Sequence, residues 1–171
     1  MNAQRNARSG RSGGRLRSAL PPLKPALVGA ALWAIAMAAS AWLGLWMLEW
    51  QTPARLRYLV TLYGLGAFCA FPVGLFIARL LAPEGRPETR FAAGLLGFTI
   101  ATVGVTSLIY ALAYCMYSEW QGDELSVLIH QIVFTIAAAL YQFGAVGLRL
   151  FFPVGFAALL AASLWFARLR D

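Results

Sequence analysis

Polar side chains are costly at membrane depth, so in an apolar chain they are the first candidates for chemistry. Gln131, Thr135, Gln142 and Arg149 are the strongest set here. Counted from Gln131 they fall at offsets 4, 11 and 18, which a helical period brings close to one face, with Ala138 and Ala145 in the same stripe. Such a seam, opposite Phe134, Ile136 and Leu140, can line a hydrated path or cup an anionic headgroup, with Arg149 as the bidentate cation. The plainer reading is interhelical hydrogen bonding, with Arg149 snorkelling to an interface. Thr99, Thr102, Thr106 and Tyr110 form a second hydroxyl seam, most of which is explained by Thr bonding back to its own helix carbonyls.

His130 is the single histidine. One chain therefore cannot supply a bis-His haem or a His-rich zinc site, and neither a metal nor a cofactor is expected. His130 with Glu119, Asp123 and Glu124 makes an outer-face polar cluster, to which an envelope enzyme acting on lipid, or a pH-sensitive switch, is one reading and a hydrogen-bonded structural histidine the other. Cys69 and Cys115 lie at depths about 12 Å apart if helical, too far for a disulfide. The chain has no C-x-x-C, H-E-x-x-H, phosphate-binding glycine loop or G-x-S-x-G, so the expectation is a protein that is not an enzyme.

The elements that must position these groups follow from composition. Of 171 residues 60% are hydrophobic and only 12% charged, with a mean hydropathy of +0.67. A soluble domain carries about twice that charge to wet its surface. The expected class is an all-α, polytopic transmembrane helical bundle, which excludes a soluble enzyme, a secreted disulfide scaffold and a disordered regulator. Apolar stretches predict spans at about 26–48, 58–78, 91–118 and 148–167, making up a membrane domain over 26–171. The segment at about 125–143 is either a re-entrant or interfacial helix turning at Gly144 and Gly147, or a fifth span turning at Arg149 to Pro153.

Net charge is +7, and all basic residues but Lys24 are arginines. Residues 1–25 form a basic, Gly/Ser-rich segment without acids, expected to be a disordered cytoplasmic tail drawn to anionic lipid headgroups. Its RSGRSGGR run lacks the interleaved aromatics of a nucleic-acid platform, so no nucleic-acid partner is expected. The Ala39-Ser40-Ala41 sequence resembles a signal-peptidase site, but the apolar run continues past it and the basic segment before it is long, which predicts a retained span. Four spans put every basic residue except Arg55, Arg57 and Arg149 on the side of the N-terminus, the pattern of a cytoplasmic face. Trp46, Trp50, Tyr58 and Trp120 would then share the outer interface. Arginine over lysine and richness in Ala and Gly fit a bacterial inner membrane, with the mitochondrial inner membrane as the alternative.

Gly66, Ala70, Gly74 and Ala78 stand four apart in the second span and allow close helix approach. Ala30, Ala34 and Ala38 offer a like stripe in the first span, and Ala93, Gly97, Ala101 and Gly104 in the third. Missing catalytic motifs and several such faces lead to a non-enzymatic accessory, assembly or scaffold subunit with a protein partner or a second copy of itself. The alternative is a small oligomeric transporter or channel using the polar seam.

Overall fold

The computed structural model describes residues 23–47, 52–82, 86–118 and 125–168. These form five α-helices: α1 (Leu23–Met47), α2 (Pro53–Leu81), α3 (Pro87–Tyr117), α4 (Leu125–Ala145) and α5 (Val154–Arg168), with a 3-10 helix at Gly147–Phe151 between the last two. No strand occurs among the described residues. By length and composition α1 to α4 are long and apolar enough to cross a membrane, and α5 is a shorter apolar helix. The chain is a helical membrane protein.

Proline placement accounts for the starts of α2 and α3. Pro53 and Pro87 each sit in the first turn, where a missing N–H costs nothing. The Thr52 hydroxyl caps α2 by accepting from the Arg55 amide at 3.4 Å. Both helices run past the apolar windows of the sequence, because Arg55, Arg57 and Arg79 on α2, and Glu88 and Arg90 on α3, continue the helical backbone as charged ends. Pro72 lies inside α2, where packed neighbouring helices allow the lost backbone bond to be tolerated.

α2 and α3 form the tightest pair. Gly66, Ala70, Gly74 and Ala78 are all buried and face α3, where a Cβ placed on Gly97 would lie 2.8 Å from the Gly74 carbonyl oxygen and 2.9 Å from the Ala78 nitrogen. A Cβ on Gly66 would meet the Thr106 hydroxyl at 2.7 Å. The α1 stripe meets α2 at Gly64, whose own Cβ position is 3.5 Å from Ala38. Trp33, Phe71 and Phe98 fill the core between α1, α2 and α3, with ring centroids 5.2 to 6.1 Å apart. Gly104 departs from the α3 stripe, since nothing lies within 4 Å of its Cβ position.

The C-terminal third makes one interrupted passage along the bundle. Near the start of α4, His130 and Gln131 share a cavity with Ser118 at the end of α3. Farther on, the Tyr110 hydroxyl donates to Gln142 Oε1 at 3.1 Å. After the 3-10 helix, Gly155 packs on Met37, and at the end of α5 the Arg90 guanidinium stands 5.5 Å from the Phe166 ring. Contacts thus descend α3 from Ser118 to Arg90 without reversing, and α4 and α5 share no helix–helix interface.

The expected turn-back at Gly144 and Gly147, and the alternative hairpin at Arg149 to Pro153, are both replaced by a sideways step. The chain steps sideways because α4 ends at Ala145, the glycine at 147 permits close approach to Tyr63, and Pro153 lacks an amide for a continuing ladder. The helical stretch expected over 148–167 is accordingly a 3-10 turn followed by a helix that begins at Val154.

Candidate functional site

Two groups of polar residues result from that sideways step. The first seals it. Tyr63 of α2 donates to the Gly147 carbonyl at 2.9 Å, and the Gly155 amide donates to Ser40 Oγ of α1 at 3.2 Å. Tyr63, Ser40, Gly147 and Gly155 are all buried. A broken helix frees backbone groups that lipid cannot satisfy. Here a hydroxyl on each side of the break meets one of them, and Phe143 and Phe151 close over the Tyr63 ring with centroids at 6.1 and 5.2 Å. Ser40 and Tyr63 are not functional candidates in the sequence: both sit in apolar helices, Ser40 noted only within Ala39-Ser40-Ala41, and only the long-range fold reveals their partners.

The second group is the seam. Gln131 and Thr135 line the cavity of about 640 Å³ at the Ser118 end, together with Ser126 and His130. Nδ1 of His130 lies 2.7 Å from the Ser126 carbonyl oxygen, an acceptor only, so this nitrogen is the donor of the pair. Gln142 stands apart, bound to Tyr110. Arg149 does not join them. Its place at offset 18 assumes one continuous helix, whereas α4 stops at Ala145 and the 3-10 turn puts Arg149 on an exposed side. The neighbouring Leu150 packs on Gly44, about one turn from the end of α1, within snorkelling reach of an interface.

The α3 hydroxyls divide into separate roles. Thr99 bonds back to the Leu95 carbonyl at 2.7 Å, whereas Thr102 accepts from the Trp33 indole at 3.1 Å in the buried core. Thr106 is fully buried against Gly66. Cys69 and Cys115 are free thiols.

Of the outer-face cluster, Glu119, Asp123 and Glu124 lie outside the described residues, as do Trp50, Trp120 and residues 1–22 of the basic tail. Tyr58 meets Tyr117 edge-on at 5.7 Å and Trp42 stacks on Trp46 at 6.1 Å, an aromatic group at the Ser118 end. Among the described residues no three His, Cys, Asp or Glu converge on a metal-sized site.

No family model matches the chain, and neither the curated proteins nor the solved structures include a match to it.

Proposed function

We propose that this protein is a non-enzymatic accessory or scaffold subunit of a membrane complex, and that α4 is the element that meets its partner. The observation that carries the reading is the exposure of α4, which buries only Ala139 and Phe143 along 21 residues. Val133, Phe134, Leu140 and Tyr141 are all exposed. Lipid can cover an apolar helix, but α4 also stands off α3 across the Ser118 cavity, and its two buried residues both lie in its second half. A helix held away from its own bundle suits packing against another chain through dispersion contacts, the main force between helices in lipid.

The excess of Arg at the end holding Lys24, Arg79, Arg86, Arg90 and Arg168 supports a cytoplasmic placement of that end in a bacterial inner membrane. The test is photo-crosslinking in intact membranes from a reactive residue at Phe134 or Tyr141, with the exposed Leu65 on α2 as the control. One protein adduct of defined mass at the α4 positions alone is the expected outcome. Lipid adducts at every position, with a lone monomer in mild detergent, would refute the reading.

The transporter reading draws on the Ser118 cavity and its His130, Gln131 and Thr135 lining. It requires flux that falls when Gln131 and Thr135 are replaced by Leu; unchanged flux removes the seam from consideration.

A further inference from the structure

A cleft opens between α1 and α5 where the two helices lie side by side. Its volume is about 420 Å³, and its walls include Val28, Leu32 and Ala36 of α1 and Ala161, Ala162 and Trp165 of α5. Trp33 and Phe71 form the floor. The α5 wall is made largely of alanine, so the space is left by short side chains and is not a misfit of large ones. From Pro25 to Ala36 the cleft runs about 16 Å along α1. Its cross-section is therefore on the order of 26 Å², about a third of that of a helix roughly 10 Å across. A single extended hydrocarbon chain fits this width and a second helix does not.

Charge identifies the end of such a chain. Pro25, at one end of the cleft, adjoins Lys24, and Trp165 precedes Arg168 by one helical turn. Lys24 and Arg168 are both exposed, so two cations flank the same mouth. The only described carboxylate is Glu88, and it does not line the cleft. Trp165 is half-exposed at that mouth, in the position an interfacial indole takes at headgroup level.

We propose that the α1/α5 cleft is a binding site for one anionic phospholipid, with an acyl chain along Leu32 and Ala161 and the phosphate held between Lys24 and Arg168. The site is independent of the scaffold reading, since α4 takes no part in it.

The test uses the full chain in mild detergent, stripped of lipid and titrated with phosphatidylglycerol or with phosphatidylcholine of the same acyl composition. Native mass spectrometry reads the affinity of the first bound lipid. Two basic residues at a headgroup predict a preference for phosphatidylglycerol of about thirtyfold. Replacing both by Gln (Lys24→Gln with Arg168→Gln) should erase that preference and leave phosphatidylcholine binding unchanged. Filling the cleft by Ala36→Leu with Ala161→Leu should weaken both lipids at least tenfold. The charge variants touch no core packing, so they test the site even if the filled variant folds poorly. Equal affinity for the two lipids in the wild type overturns the proposal. So does lipid binding untouched by cleft filling in a folded variant, or an oligomer that the filled variant disperses.

Discussion

Adding one methyl group to α3 at two positions separates close helix approach from ordinary helix propensity. At Gly97 the new Cβ of Gly97→Ala would sit 2.8 Å from the Gly74 carbonyl oxygen, 2.9 Å from the Ala78 nitrogen and 3.2 Å from the Ala78 Cα. All three are backbone atoms, so no side chain can rotate away and the helices must part by roughly 0.5 Å to restore ordinary contact. Such a gap forfeits about a quarter to a half of each contact's attraction, and with ~20 atom pairs of ~0.15 kcal/mol affected the loss is about 1 kcal/mol. Residual strain brings the expected cost to about 1–2 kcal/mol. Gly104, seven residues along the same helix, has nothing within 4 Å of its Cβ position. There the same substitution should be neutral, or stabilising by up to about 1 kcal/mol as alanine replaces a helical glycine. Reversible unfolding in mixed micelles with increasing SDS, followed by helical circular dichroism, measures both variants. Equal shifts for Gly97→Ala and Gly104→Ala would refute the close approach of α2 and α3.

Loss of a hydroxyl at the sealed break should also be measurable in the same assay: Tyr63→Phe and Ser40→Ala each cost about 0.6–1.5 kcal/mol, with no change in helix content. Thr102→Val leaves the Trp33 indole N–H without its partner in a buried core, and is expected to cost about 1 kcal/mol and to change the tryptophan emission; an unaltered spectrum and stability would count against that bond. Because the passage through α4 and α5 does not reverse, tags at the two ends of the chain should be reached by an impermeant reagent from the same side of the membrane. Labelling from opposite sides would restore the five-span arrangement. Cys115, near the end of α3, should react with a water-soluble maleimide well before Cys69, which lies mid-helix in α2; comparable rates would place Cys69 beside water.

The helical bundle and the α2 packing face were legible in the sequence for a physical reason. Uninterrupted apolar length reports a span directly, and small residues at a spacing of four report a face whichever helix they meet. Direction of travel after Ala145 was not legible, because Leu125 to Ala167 carries no formal charge except at Arg149 and shows no change of period at the break. Gly144, Gly147 and Pro153 mark where helical bonding fails, yet the same residues suit a hairpin and a sideways step equally well. What decides between them is the long-range pair Tyr63 with Gly147 and Ser40 with Gly155, on helices more than eighty residues away in the chain. The placement of Arg149 failed with the helix that was meant to carry it, whereas Gln131 and Thr135, on an unbroken part of α4, do share one cavity.

The break also explains why the molecule has two unfilled surfaces. Without it, a continuous helix from Leu125 to Arg168 would be about 66 Å long, twice what a bilayer core accommodates. The 3-10 turn moves the passage from the flank of α3 to the groove between α1 and α3, and the two hydroxyls make that move affordable in lipid by meeting the freed backbone groups. Once shifted, α5 lies against α3 through Gly94 and Phe166 but faces α1 mainly through alanines, which opens the cleft. On the other side of the turn, α4 buries only Ala139 and Phe143, both in its second half. A break that lined a pathway would keep its carbonyls open to water, as transporter helices do; here Gly147 and Gly155 are buried and bonded. The turn therefore positions two surfaces, and ligands are to be sought at α4 and at the α1/α5 cleft before they are sought at the turn itself.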